Sequence, residues 1–190
     1  GHFFKKSQDD SFHRWIIEKG PYPPPKSVKQ YIIRSLAIER EIKVFVETGS
    51  YKGEMIYAQF PFFSRIFSIE LSDILYIDCL MKFKNYPNVS LFHGNSGDVL
   101  FQLVPSLKGS SIFWLDAHYS AGITARGEID CPIEKELEAI GKSRFEHIIV
   151  IDDAKDFNGN DGYPTIEGLI KIVEKVLPNY QFKSLGGFFF

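Results

Sequence analysis

Val44-Phe-Val-Glu47-Thr-Gly49-Ser-Tyr-Lys-Gly53 is an apolar run that stops on a carboxylate and then turns through two glycines. Val44 to Val46 read as a short buried strand and the residues up to Tyr57 as the start of a helix. The glycines therefore occupy a strand-to-helix turn. Glycine there lets the backbone approach a ligand that a Cβ would exclude, and the exposed N–H groups of a helix start favour a negative or carboxylate-bearing group. The spacing is not the dinucleotide fingerprint G-x-G-x-x-G, because Tyr51 stands where its middle glycine would be. A turn of this kind serves equally as a tight connection, so its weight comes from what surrounds it.

Downstream, strands and helices alternate. Strand 43–48 is followed by helix 53–60, strand 65–71 by helix 73–85, strand 89–94 by helix 98–104, strand 112–116 by helix 132–141, and strand 147–152 by helix 165–176. A last strand is expected over 180–185. Runs such as Ile148-Ile-Val-Ile151 are continuously apolar, the pattern of strands covered on both faces in a parallel sheet. The fold class is therefore a doubly wound α/β domain, with a mostly parallel sheet and helices on both faces. Gly186-Gly187 before Phe188-Phe-Phe190 reads as a two-residue hairpin turn opening a seventh, antiparallel strand that is truncated or ends the chain.

Upstream, Phe12, Trp15 and Ile16 repeat at helical spacing over 9–19, and Pro21 and Pro23-Pro24-Pro25 break the pattern. Ser27 is expected to cap a following helix with the stripe Val28, Ile32, Ile33 and Leu36, closing near Glu41 and covering an edge or face of the sheet. Residues 1–42 thus read as an N-terminal helical extension and 43–190 as the α/β domain.

A chain of 190 residues suits one well-buried core. Its formal charge of -2 leaves no electrostatic footprint for nucleic acid or an anionic membrane, which argues for a small-molecule or protein partner. Cys79 and Cys131 fall in no CxxC or Cys/His array and read as reduced thiols in a cytoplasmic protein. No apolar stretch is long enough to span a membrane, Phe3-Phe4 runs at once into Lys5-Lys6, unlike a signal peptide, and Gly1-His2 reads as a processed start. A homo-oligomer is left open.

In a doubly wound sheet, ligands bind beyond the carboxyl ends of the strands, near the reversal of strand order. Those ends carry Glu47, Glu70, Gly94-Asn95-Ser96, Asp116-Ala-His118-Tyr119 and Asp152-Asp153. So many carboxylates around one crevice are costly unless cations or ligand donors sit among them. Glu70 stands where a second-strand acid accepts two ribose hydroxyls; the plainer alternative is a solvated strand end capping the helix at Ser72-Asp73. Asn95-Ser96 suits an adenine edge or simple turn chemistry. Asp116, Asp152 and Asp153 offer the oxygen ligands that Mg²⁺ prefers, although Asp152 and Asp153 reach one ion only if the strand ends before them. The plainer alternative is that Asp153 only caps or turns the glycine-rich loop behind it. His118 is a base or a packing residue. The polar, glycine-bearing loop 119–131 is a candidate substrate lid, with Arg126 facing an acidic substrate or a neighbouring acid.

Glu47-Thr-Gly49-x-x-x-Gly53 and Ser68-Ile-Glu70-Leu together resemble the first motif and acidic second-strand end of class I S-adenosylmethionine-dependent methyltransferases. Phe113-Trp-Leu-Asp116-Ala-His118-Tyr-Ser, Asp130-Cys-Pro-Ile-Glu-Lys-Glu-Leu137 and Ile149-Val-Ile-Asp152-Asp153-Ala are similar to segments of bacterial relatives of unassigned substrate and of metal-dependent, macrocin-type sugar O-methyltransferases. The resemblance implies a seven-stranded sheet with an antiparallel last strand. It implies S-adenosylmethionine held by Glu47, Gly49, Ser50, Gly53, Glu70, Asn95 and Ser96, and Mg²⁺ held by Asp116, Asp152 and Asp153. Asp116 or His118 would then act as base in O-methylation of a small-molecule acceptor. Asn95 departs from the aspartate that many relatives direct at the adenine amino group. The rival readings are another metal-dependent reaction on the same scaffold and a non-catalytic cofactor-binding or interaction protein.

Overall fold

The computed structural model describes residues 23–116, 131–160, 162–185 and 187–189. The expected helix over 9–19, His118, Arg126 and most of the candidate lid lie outside the described residues. Helix α1 (Lys26–Glu39) leads into β1 (Val44–Thr48), α2 (Glu54–Gln59), β2 (Arg65–Glu70), α3 (Asp73–Phe83), β3 (Val89–His93) and α4 (Ser96–Leu103). Strand β4 (Ile112–Leu115), α5 (Ile133–Gly141), β5 (Ile148–Ile151), α6 (Ile166–Val176), β6 (Ser184–Leu185) and β7 (Phe188–Phe189) follow.

The strands form one seven-stranded sheet in the order β3-β2-β1-β4-β5-β7-β6. β1 to β5 run parallel, and β7 is antiparallel to both β5 and β6. The doubly wound architecture and the antiparallel last strand match the expectation from sequence. β1 lies between β2 and β4, so the order reverses there, and Val46 aligns with Phe67 on one side and Phe113 on the other.

Side chains alternate across the sheet, and both faces are covered. On one face Phe45, Ile66, Ile112, Trp114, Val150 and Phe188 share a core with Val28, Ile32 and Ile33 of α1, Ile56 of α2, and Cys79 and Phe83 of α3. On the other, Val46, Ile69, Phe113, Leu115 and Ile151 pack against Leu100 of α4, Leu137 and Ile140 of α5, and Leu169 and Val173 of α6. No helix among the described residues is long and apolar enough to cross a membrane.

Two local expectations are corrected. Ser27 does not cap α1: the helix begins at Lys26, and the Pro25 carbonyl accepts the N–H groups of Val28 (2.9 Å) and Lys29 (3.2 Å). Proline at that position presets the backbone for helix entry without a side-chain acceptor. The last strand is also shorter than the alternation implies, since pairing holds only Ser184–Leu185. Tyr180 instead turns its hydroxyl to accept the His147 N–H at 2.8 Å, and Phe182 packs against Phe189 with centroids 5.0 Å apart.

Candidate active site

The carboxyl ends of β1, β2, β4 and β5 meet at one rim. After Thr48 the chain turns through Gly49, whose N–H donates to the Ile69 carbonyl at 2.9 Å, and Ser50, whose N–H donates to the same oxygen at 3.2 Å. Tyr51 holds a left-handed φ of 47°, rare for a residue with a side chain, and its N–H donates to Glu70 Oε2 at 2.8 Å. Gly49 has φ +84°, and a Cβ there would stand 3.2 Å from the Asp116 carbonyl oxygen, so the turn lies directly against the end of β4. Gly53 answers a different demand. With φ +75°, a Cβ on it would meet the Phe83 ring at 2.5 Å, so its lack of a side chain lets α3 close.

Glu47 is only 2% exposed and accepts a hydrogen bond from Ser68 Oγ at 2.6 Å. With that proton directed at Glu47, Ser50 Oγ is the donor in its 2.6 Å contact with Ser68. Burial pushes the Glu47 carboxyl up to about 8; the Ser68 bond opposes the rise, and the charges of Asp116 and Glu70 add to it. Glu70 is also buried, with Oε1 accepting the Ser72 N–H at 2.9 Å and Oε2 the Tyr51 N–H. Each oxygen keeps a lone pair for a further donor.

Asn95 caps α4, its Oδ1 accepting the Asp98 N–H at 3.4 Å, which is the turn chemistry its sequence context allows. Ser96 faces Glu136 of α5, a fully buried carboxyl. Burial lifts Glu136 to about 7, held back by the hydroxyls of Ser96 and Thr48. Yet among the described residues neither Glu136 oxygen has a hydrogen bond of ordinary geometry, nor does Thr48 Oγ1.

The aspartates converge as the metal reading requires. Asp116, Asp152 and Asp153 each offer an oxygen within 4.8 Å of the others. β5 stops at Ile151, and Asp153 adopts a left-handed φ of 55°, which swings its carboxylate to the side of Asp152 rather than across the sheet. Asp152 is 2% exposed; its Oδ1 accepts the Asp153 N–H at 2.9 Å, while its Oδ2 pairs with the Lys29 ammonium. Burial, then the charge of Asp153, raise its pKa, and Lys29 opposes the rise.

No protein-family model matches the chain, and no curated protein matches it in sequence. Solved structures do. The O-methyltransferase TomG of Streptomyces achromogenes, involved in tomaymycin synthesis and solved with S-adenosylmethionine (SAM), superposes with a TM-score of 0.61 at 14% identity over 96% of this chain and 86% of its own. An O-methyltransferase of Bacillus cereus, in complex with S-adenosylhomocysteine (SAH), gives 0.62 at 14% identity, covering 97% of this chain and 89% of its own. An SAH-bound methyltransferase of Podospora anserina gives 0.56 at 16% identity over 95% and 86%. The chain has the SAM-dependent methyltransferase fold.

Within the methyltransferase fold, two titratable side chains at this rim have no role assigned by the sequence motifs: Lys29, half-buried, and Glu136, fully buried within the segment 130–137. Lys29 shares a helix face with Ile32, Ile33 and Leu36, and Glu136 shares one with Ile133 and Ile140. A charged residue inside an apolar helical stripe is the signal that marks both. A cavity of about 550 Å³ lies away from the rim, along β5 between Arg40, His147, Tyr180 and Phe182. Because β7 pairs with β5 only through Ile151 and Phe189, this groove follows from the short hairpin. His147 on its wall is held neutral: burial lowers its pKa to about 4, while its Nδ1 accepts the Ser111 N–H at 3.0 Å.

Proposed function

We propose that the chain is a SAM-dependent methyltransferase that methylates a hydroxyl of a small molecule, such as a sugar or glycosylated metabolite, with assistance from Mg²⁺. The observation that carries this reading is the convergence of Glu47, the Gly49 turn, Glu70 and the three clustered aspartates at the reversal of strand order. SAM bound over that turn supplies an electrophilic methyl group.

Glu70 suits the ribose, since its oxygens are fixed by the Ser72 and Tyr51 amides and retain acceptor capacity for two hydroxyls. Glu47 suits the amino-acid portion, because a buried carboxyl surrounded by other acids gains most from an incoming ammonium. Ser50 supports it through Ser68, and Asn95 and Ser96 border the adenine end. Asp116 or His118 would take the proton of the acceptor hydroxyl, whose oxygen would receive the methyl group that bound SAM supplies. Asp116, Asp152 and Asp153 form an all-oxygen set of the kind Mg²⁺ takes, and these residues would hold it. The ion, when bound, acts as a Lewis acid that lowers the pKa of the acceptor hydroxyl. Holding both reactants in line contributes on the order of 7–11 kcal/mol in favourable cases, so little covalent participation by the protein is needed.

Calorimetric titration with SAH, with and without Mg²⁺, tests the reading. Binding that is lost in Glu70→Ala supports it, as does methyl transfer that requires Mg²⁺ and fails in Asp152→Ala. No SAH binding under either condition ends the enzymatic assignment.

A further inference from the structure

The acidic cluster already holds a positive charge, and the chain supplies it. Lys29 reaches from α1 so that its ammonium pairs with Asp152 Oδ2 and lies 3.9 Å from Asp153 Oδ1. Its side chain is 17% exposed, and its nitrogen stands 5.9 Å from the centroid of the Trp114 ring, which adds a cation–π attraction. The helix that carries it is firmly docked. Val28 and Ile33 are fully buried, Arg34 donates to Gln59 Oε1 at 3.1 Å and to the Ala58 carbonyl at 2.6 Å, and Gln59 donates back to the Gln30 carbonyl at 3.2 Å. Lys29 can therefore leave the aspartates by swinging its side chain, while α1 stays in place.

We propose that Lys29 is the resident counter-cation of the cluster and competes with the divalent ion for Asp152 and Asp153, so that α1 sets the metal affinity of the site. This rests on the metal-assisted reading above. Asp152 Oδ1 already accepts the Asp153 amide and keeps one lone pair, and Oδ2 is the oxygen Lys29 holds, so an ion on either oxygen shares the carboxylate with the lysine. An ion ligated by Asp152 would sit within a few ångströms of the ammonium, in a buried setting where like charges repel strongly. Loading the metal thus requires the lysine to withdraw toward solvent, which its long, flexible stem allows. Without metal, the ammonium keeps the buried carboxylate from standing as an uncompensated charge.

The test is Mn²⁺ binding to the full chain, followed by calorimetry and by the electron paramagnetic resonance of free Mn²⁺. Lys29→Met is expected to bind Mn²⁺ at least about tenfold more tightly than the parent, and Lys29→Arg, which keeps the charge, no more tightly. Asp152→Asn is expected to weaken binding in either background. Equal or weaker binding in Lys29→Met, with Asp152→Asn still weakening it, overturns the competition and leaves the metal site standing. No binding by parent or variant removes the metal site and this inference with it. A second readout needs only the unaltered chain: covalent labelling of lysine amines, read by mass spectrometry, is expected to spare Lys29 without Mg²⁺ and to modify it several-fold faster at saturating Mg²⁺. Protection that persists under saturation overturns the inference even if Lys29→Met fails to fold.

Discussion

Raising the pH of a metal-free solution should tighten SAH binding, and Glu47 sets by how much. In the free protein its carboxyl is lifted from an ordinary 4.5 to about 8, so close to one molecule in a hundred carries the charge at pH 6 and about one in ten at pH 7. If the ligand's ammonium is received by the ionised carboxylate, binding must include removal of that proton. Affinity should then rise about tenfold per pH unit from about pH 6 to pH 7.5, each factor of ten corresponding to about 1.4 kcal/mol. Near pH 7 close to one proton should leave per SAH bound. Calorimetry in buffers of different ionisation enthalpy measures that number directly. Glu47→Gln should bind weakly, with a flat pH profile and no proton release. The reasoning is refuted if the unaltered protein shows neither slope nor release, or if Glu47→Gln keeps the slope. The free protein's stability should move the opposite way. The folded chain retains this proton above 4.5 while the unfolded chain loses it, so stability falls as pH rises through the window up to about 8.

Glu136→Gln removes a second buried acid, lifted from 4.5 to about 7, and should stabilise the protein by about 3 kcal/mol at pH 8 with almost no effect at pH 4, as read by urea unfolding. Gly49→Ala forces a Cβ to 3.2 Å from the Asp116 carbonyl at φ +84°, so it should cost about 1 kcal/mol or more in thermal stability and weaken SAH binding as well. Gly141→Ala tests packing away from the site. A Cβ there would stand 2.4 Å from the Val176 carbonyl oxygen where α5 meets α6, so it should lower stability by about 1–3 kcal/mol while the folded fraction binds SAH normally.

The sheet was legible because the central strands β1, β4 and β5 are short, largely buried apolar runs and the helices that follow the parallel strands start after a polar strand end. A parallel sheet then brings Glu47, Glu70, Asp116 and Asp152 to one rim. Gly186-Gly187 likewise announced the hairpin that joins Leu185 to Phe188. The length of β6 was not legible, because whether Tyr180 continues a strand or reaches toward His147 depends on a tertiary contact. The start of α1 was misread because Ser27 has the better capping side chain, whereas the prolines before it dictate where the helix begins. Lys29 was hidden for a related reason, since it meets the rim from a helix far away in sequence, and the place of Glu136, although it lies within the segment 130–137, depends on the tertiary approach of α5 to Thr48 and Ser96.

These two residues also bear on why so much charge is kept here. The rim deals with its buried acids in different ways: Glu47 and Glu136 are pushed toward carrying a proton, Glu70 is held by backbone amides, and Asp152 is paired with a lysine. Each arrangement compensates a desolvation cost that an apolar side chain of similar size would avoid. Stability alone therefore does not account for them. The opposite end of the sheet makes the contrast, since the titratable group buried there among the described residues, His147, is driven neutral and tied to Ser111. Acids kept at one end, in settings that an added cation would relieve, are what a site for a cationic ligand and a metal ion requires.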